Sequence, residues 1–159
     1  MSSFGIRVDL ASLAAQLDAD AQACEDAARP AAQAGAQVLY EAVQRNVARI
    51  RRRTGNLASS IYQAYSQDNS GAGRATYHVS WNARKAPHGH LVEWGHLQRY
   101  LVTVDDRGRW ITHKDKPLAA PIQIPGRPFI RPAMAQMSQA EAAMRERYLA
   151  ELQQRGVIR

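Results

Sequence analysis

The sequence predicts an α+β fold, with two N-terminal helices and a C-terminal helix packed on a mostly antiparallel β-sheet that carries a projecting hairpin. Apolar residues recur every three to four positions near both ends of the chain, which is the spacing of helices. The central region shows the alternation of apolar and polar residues that is typical of half-buried strands. No regular alternation of strands with helices is present, so a parallel sheet is not expected.

The N-terminal third predicts an arm followed by two helices. Residues 1–8 lack a helical pattern and predict a flexible arm. Asp9 is placed to cap a first helix that ends near Arg29, because Pro30 lacks a backbone donor and restricts the residue before it. Pro30 also suits the first turn of a second helix, which runs to Arg53 and stops at the glycine that follows.

The rest of the chain predicts short strands and a final helix. Residues 56–61 fit either a strand or, over Asn56–Ser60, a short helical turn. We expect a loop at 67–73, a strand at 75–81 and a short apolar run framed by glycines at 86–97. A hairpin should then pair 100–104 with 109–112. An extended proline-rich segment at 117–132 and a helix from Pro132 to Arg155 complete the predicted elements. We therefore predict one domain over 9–155, with a hairpin and proline-rich insert at 97–123 and a tail at 156–159.

Composition narrows the class of protein. The 159 residues include 21 Lys and Arg against 14 Asp and Glu, a formal net charge of +7, and Arg supplies 18 of the 21. The planar guanidinium of arginine suits carboxylates and phosphates.

The single cysteine, Cys24, excludes an intramolecular disulfide and a cysteine-based zinc cage. No stretch approaches the roughly 20 apolar residues of a membrane span, and no signal-peptide pattern is present, so we expect a cytosolic product without membrane contact.

The sequence gives little support for an enzyme. It contains no phosphate-binding glycine loop, no dinucleotide motif and no nucleophile elbow, so we expect neither catalytic residues nor a cofactor. One alternative is a metal-dependent hydrolase that uses His88, His90, Glu93 and His96, which cluster within nine residues. A strand would place Glu93 and His96 on different faces, and the flanking glycines oppose a helix, so bound metal is not the expectation.

A second alternative is a small basic DNA-binding protein. Arg49, Arg51, Arg52 and Arg53 form a run that can supply phosphate contacts. The same run also complements the negative end of the predicted second helix. No helix-turn-helix, zinc-finger or RNA-recognition motif accompanies it.

The segment from Pro125 to Ala133 is unusual because two Arg-Pro pairs bracket Phe129 and Ile130. Proline restricts the backbone, so the segment can present Phe129 rigidly, and we expect Phe129 to be buried as an anchor. Glu93 lies within an apolar run and needs compensation if it is buried. We therefore predict an ion pair between Glu93 and either Arg127 or Arg131.

Three blocks of residues together resemble a phage family. They are Thr54-Gly55-Asn56-Leu57 with Ser60-Ile61, then His90-Leu91-Val92-Glu93-Trp94-Gly95-His96, and finally Arg127-Pro128-Phe129-Ile130-Arg131-Pro132-Ala133. In this order they are similar to the signatures of the minor tail or tail-completion proteins of long-tailed bacteriophages, also called neck or head–tail joining proteins. The resemblance covers roughly residues 30–150, and its motif residues are Thr54, Gly55, Leu57, Glu93, Trp94, Gly95, Arg127, Pro128, Phe129, Arg131 and Pro132.

The resemblance implies a non-enzymatic structural protein of the virion neck, assembled in the host cytoplasm. It would form a homo-oligomeric ring, six- or twelve-fold, between the tail terminator or tail tube protein and the head-closure or connector protein. A lumen lined by Arg49 and Arg51–Arg53 would then make non-specific contact with packaged DNA. The implied motif residues are structural and interface residues, with no metal or cofactor ligands among them.

Overall fold

A computed structural model of the chain describes residues 5–6, 10–50, 55–107 and 109–159. The helices are α1 (Ala11–Arg49), α2 (Asn56–Ser60), α3 (Gly89–Trp94) and α4 (Met137–Gln154), with a 3-10 helix at Arg131–Gln136. The strands are β1 (Ile61–Tyr65), β2 (Tyr77–Trp81), β3 (Gly95–Val104) and β4 (Trp110–Pro125). The predicted α+β class is confirmed. Within the described residues, no helix is both long and apolar enough to cross a membrane.

The two N-terminal helices that the sequence predicts are one helix, and the predicted break at Pro30 is wrong. Helix α1 runs for 39 residues with Pro30 inside it. Ala27 and Ala31, on either side of the proline, are both buried, so packing holds the two halves in line. Alanine also has the highest helix propensity, which offsets part of the lost backbone hydrogen bond.

The described part of α1 ends at Arg49, where a basic residue in the last turn complements the helix dipole. Residues 51–54, which include the predicted end of the helix at Arg53, lie outside the described residues. Most of the predicted arm at 1–8 also lies outside the described residues, as does Asp9, the predicted cap of the first helix. Gly55 has φ 76°, a left-handed conformation, and leads directly into α2. Of the two interpretations of residues 56–61, the short helical turn is correct over Asn56–Ser60.

The strands form two separate two-stranded sheets, where the sequence predicted one. The β1–β2 pair is closed by a hydrogen bond from the Ser66 N–H to the Thr76 carbonyl at 2.9 Å, around the predicted loop. Strands β3 and β4 pair antiparallel as predicted, although the hairpin is much longer than residues 100–112. A two-stranded sheet leaves one edge of each strand free, and alternation alone does not specify which strands become neighbours.

Strand β4 contains Pro117 and Pro121 and ends at Pro125, so the segment predicted as extended is a regular strand up to that point. An edge strand tolerates proline, because the missing N–H can face away from the partner strand. The register shifts on both sides of Tyr100, and Tyr100 lies opposite Pro117. The prolines therefore interrupt the ladder locally without ending the strand.

Helix α3 was not expected, because glycines flank it. Gly89 is required for packing: a Cβ atom there would overlap the indole ring of Trp81. Gly95 has φ 77° and ends the helix. Both glycines therefore have specific places in a helical turn, which the sequence pattern did not reveal.

The predicted C-terminal helix begins as a 3-10 helix at Arg131 and becomes α-helical at Met137. It ends at Gln154, close to the predicted Arg155. Gly156 has φ 76°, and its N–H donates to the Gln153 carbonyl at 3.0 Å, so this glycine ends the helix.

The chain forms two compact units, and the single domain predicted over 9–155 stays a prediction. The first unit comprises residues 1–41, 63–79 and 135–159. In it, α1 packs on α4 so closely that a Cβ at Gly35 would overlap the side chain of Met144. The second unit comprises residues 42–62 and 80–134. Its core contains Phe129 and Val43, both almost completely buried.

Replacing Pro30 by alanine tests whether α1 is continuous. Alanine restores the missing backbone donor, so Pro30→Ala should raise the free energy of unfolding by about 1–3 kcal/mol in chemical denaturation. Pro87→Ala, in an exposed turn, is the matched control and should give no gain. An unchanged or lower stability for Pro30→Ala would show that the helix is interrupted there.

Candidate functional site

The site of interest is built around the carboxylate of Glu93, in the last turn of α3. Its side chain is almost completely buried. Oε2 accepts hydrogen bonds from the backbone N–H groups of Phe129 at 2.6 Å and Ile130 at 3.0 Å. Oε1 accepts from the backbone N–H and from Nε of Arg131, both at 3.1 Å. Three successive N–H groups thus converge on one carboxylate, as in an anion-binding nest.

The same contact caps a helix. The 3-10 helix begins at Arg131, and the first N–H groups of a helix have no partner inside it. Caps are usually supplied by the residue just before the helix. Here the cap comes from 38 residues earlier in the chain, so one carboxylate both caps the helix and ties two distant segments together.

The remaining backbone donors of the proline-rich segment are also accounted for. The Arg127 N–H donates to the Val92 carbonyl at 2.7 Å. Pro128 and Pro132 have no N–H to satisfy. The Ala133 N–H donates to the carbonyl three residues earlier, at 2.9 Å. Every residue from 127 to 133 therefore lacks a backbone donor or uses it, which gives the Arg-Pro-Phe-Ile-Arg-Pro-Ala block a physical meaning.

Arg131 closes the site from the solvent side. Its guanidinium pairs with Glu93, and Nη2 also donates to the Glu93 backbone carbonyl at 2.8 Å. The guanidinium carbon lies 4.1 Å from the ring centroid of Trp94, in cation–π geometry. The predicted ion pair is confirmed, with Arg131 as the partner. Trp94 itself is 65% exposed, so this stack forms part of the surface.

Two opposing effects act on the pKa of Glu93. Burial raises the pKa of the carboxyl, because it disfavours the charged form. Hydrogen bonds from the backbone of Phe129, Ile130 and Arg131 and from the Arg131 guanidinium lower it, and together they leave the pKa below its ordinary value. Glu93 is therefore ionised at neutral pH, with its oxygens occupied by donors. A carboxylate in this state holds structure and is not available as a general acid or base.

Phe129 is the anchor that the sequence predicted, since its side chain is fully buried. Its ring meets that of Trp81 edge-on, with centroids 5.7 Å apart and planes at 72°. Its backbone carbonyl accepts a hydrogen bond from Asn46 Nδ2 at 2.9 Å, which ties the segment to the last turns of α1. Sequence reasoning missed Asn46 and Trp81, because each is a single polar or aromatic residue on an otherwise ordinary helix or strand.

Two glycines let the backbones approach below Glu93. A Cβ on Gly95 would lie 2.5 Å from the Ile124 carbonyl oxygen, and one on Gly126 would lie 2.8 Å from the carbonyl carbon of Trp94. Gly95 also faces Pro125 in the β3–β4 ladder. The base of the hairpin is therefore fixed directly beside the Glu93 carboxylate.

The other predicted motif residues have varied positions. Leu57 is buried in α2, and the Ser60 hydroxyl donates to its carbonyl at 2.7 Å. Gly55 provides the left-handed turn before it. Thr54 and the basic residues Arg51–Arg53 lie outside the described residues, so only Arg49 of the basic run is placed, at the end of α1.

The structure does not assemble the histidine cluster that the alternative metal site would need. His88 precedes α3, His90 is exposed on it, and His96 lies in β3. The Glu93 carboxylate is already saturated by nitrogen donors. Among the described residues, no group of histidine, cysteine and acidic side chains is arranged to hold a metal ion.

Comparison with known proteins identifies one family. A family model described as "Bacteriophage HK97-gp10, putative tail-component" matches residues 11–95, just over half of the chain. The match contains α1, the Gly55–Leu57 block and the Glu93 block, and it ends at the first residue of the hairpin, before the proline-rich segment. No curated protein and no solved structure matches the chain.

Truncating either partner of the ion pair should have unequal effects. Glu93→Ala leaves three backbone donors without an acceptor and should lower the free energy of unfolding by about 3–5 kcal/mol. Arg131→Ala removes a half-exposed partner and should cost only about 1–2 kcal/mol. Glu141→Ala, an exposed carboxylate on α4, is the control and should change stability by less than about 0.5 kcal/mol. Equal losses for Glu93→Ala and Arg131→Ala would contradict the role of the backbone donors.

The lowered pKa of Glu93 predicts a pH dependence. At a pH below 4.5, the ordinary pKa of this carboxyl, Glu93 binds a proton in the unfolded chain but stays ionised in the folded chain. Acidification therefore favours unfolding until the folded carboxyl is protonated as well. The free energy of unfolding should therefore fall more steeply below about pH 4.5 in the wild type than in Glu93→Ala. Asp26, whose pKa is also lowered by hydrogen bonds from Gln22 and Arg155, contributes equally to both proteins. Parallel pH profiles would contradict the assignment.

Proposed function

Because the chain belongs to the HK97-gp10-like family of phage tail components, we propose that it completes the tail of a long-tailed phage at its head-proximal end and joins the tail to the filled head. The family match is the observation that carries this proposal. A tail component is a structural protein of the virion, and the finer position in the neck is our inference from the three sequence blocks.

The geometry supports a structural role without chemistry. Glu93 is the most strongly buried acidic residue among the described residues, and every contact it makes holds backbone or guanidinium donors. The arrangement fixes the base of a long hairpin and exposes Trp94 beside it. Rigid presentation of a hairpin and an aromatic surface suits protein–protein contact, so we assign the protein no catalytic step and no cofactor.

Its partners follow from the proposed position. Copies of the chain would form a six- or twelve-fold ring, with the tail terminator or tail tube protein on one side and the head-closure or connector protein on the other. Closed rings use heterologous interfaces, in which one surface of a subunit meets a different surface of its neighbour. Packaged DNA would pass the basic run at Arg49 and Arg51–Arg53, where non-specific phosphate contacts suffice.

The proposal is tested by assembly in extracts. A phage that lacks this protein should accumulate filled heads and separate tails, and purified protein added to that extract should join them and restore infectivity. Electron microscopy counts joined particles, with a matched addition of heat-denatured protein as the control. Normal joined particles without the protein would refute the proposal. If the protein instead binds duplex DNA with steeply salt-dependent affinity and leaves assembly unaffected, the DNA-binding alternative is correct.

A further inference from the structure

The beginning of α1 carries an apolar stripe that nothing in the described residues covers. Leu10, Leu13 and Leu17 follow one another at helical spacing, and their exposed fractions are 63%, 53% and 60%. Isolated apolar residues on a surface are ordinary, but three large ones on the same helical stripe form a continuous patch.

The stripe continues into a packed interface. The same spacing leads to Cys24, whose side chain contacts the Tyr148 hydroxyl on α4, and to the buried Ala27 and Ala31. Arg155, just past the end of α4, pairs with Asp26 at 2.9 Å. The leucines thus occupy the part of the stripe that precedes these contacts, and they are larger than the alanines buried farther along it.

This part of the helix is acidic in a basic protein. Residues 10–28 contain four acidic residues, Asp18, Asp20, Glu25 and Asp26, and no Lys or Arg. The contrast extends to the two units. The first has ten acidic against seven basic residues, a net charge of −3, and the second has four acidic against fourteen basic, a net charge of +10. The β3–β4 hairpin itself, residues 95–125, has five basic against three acidic residues, a net charge of +2.

The hairpin of the second unit offers a complementary surface. Its strands are mostly exposed, and one face presents Val104 and its cross-strand partner Trp110, with exposed fractions of 45% and 65%. Lys114 and Lys116 are exposed on β4, and they are two of only three lysines in the chain. A two-stranded hairpin is marginally stable without packing against another element, so a partner on this surface would stabilise it.

We propose that copies of this chain associate head to tail, with the acidic leucine segment at residues 10–20 of one copy docked on the basic β3–β4 hairpin of the next. Contact between two leucine segments would bring like charges together, whereas the hairpin offers opposite charge and exposed apolar area. Residues 10–20 span about 15 Å of helix, within the roughly 33 Å of a ten-residue strand. This inference rests on the proposed ring and names its two surfaces.

The first test uses the scarcity of lysine. A carbodiimide joins carboxylates to lysine amines that touch them, and protein mixed from normal and ¹⁵N-labelled copies distinguishes links between copies from links within one. We expect links between copies that join Asp18 or Asp20 to Lys114 or Lys116, in solution at high concentration or on assembled tails. Lys85, outside the hairpin, is the internal control. Links between copies that go only to Lys85, or none at all, overturn the proposal.

The second test exchanges the charges. Asp18→Arg with Asp20→Arg should weaken self-association by about tenfold or more in light scattering, and so should Lys114→Glu with Lys116→Glu. All four changes in one chain should restore it, because the interface is again complementary. Glu141→Arg with Glu146→Arg, the same charge change on exposed positions of α4, is the matched control and should leave association unchanged. Far-ultraviolet circular dichroism verifies folding.

The outcomes separate this inference from the proposed function. Suppose that the variant with all four charge changes fails to regain association while the wild type still forms rings and joins heads to tails. In that case the docking surfaces are wrong and the proposed function stands. If the Lys114→Glu with Lys116→Glu variant loses duplex DNA binding while its self-association is unchanged, the basic hairpin serves DNA, and the proposal is overturned. If the wild type neither associates nor joins particles, both proposals fail.

Discussion

The structure of the second unit depends on one buried carboxylate. Glu93 is charged and almost completely excluded from water, a state that costs several kcal/mol unless donors surround it. Three backbone N–H groups and one guanidinium supply those donors. Because the donors come from residues 129–131, the carboxylate is stable only when that segment lies against α3. The charge of Glu93 can therefore be buried only in the one arrangement of the chain that supplies these donors.

Other features follow from this contact. Phe129 can lie in the core without an unsatisfied backbone donor because Glu93 accepts from its N–H, and Trp81 and Asn46 complete its surroundings. Gly95 and Gly126 are needed because the two backbones beside the carboxylate approach too closely for a side chain. The long β3–β4 hairpin starts and ends at this point, so its base is rigid even though most of its length is exposed. In the proposed ring, this hairpin is one of the two surfaces that join neighbouring copies.

Much of this could be predicted from the sequence, and the failures have physical reasons. The Glu93–Arg131 pair and the buried Phe129 were predictable, because an acid in an apolar run needs a partner and two prolines restrict the segment that supplies it. The break at Pro30 was wrong, because packing of Ala27 and Ala31 overrides a local preference that acts on one hydrogen bond. Helix α3 was missed because the role of Gly89 depends on Trp81, a contact that local sequence does not contain. The sequence could not show which backbone N–H groups donate to Glu93, because every residue except proline has the same N–H group.

Amide hydrogen exchange measures the central contact directly. The N–H groups of Phe129, Ile130 and Arg131 are near the start of a 3-10 helix, where amides without a partner exchange rapidly. If Glu93 holds them, all three are protected in the wild type to a similar degree, and Glu93→Asp, whose side chain is too short to reach all three, selectively loses that protection. Rapid exchange of the three amides in the folded wild-type protein would contradict the account.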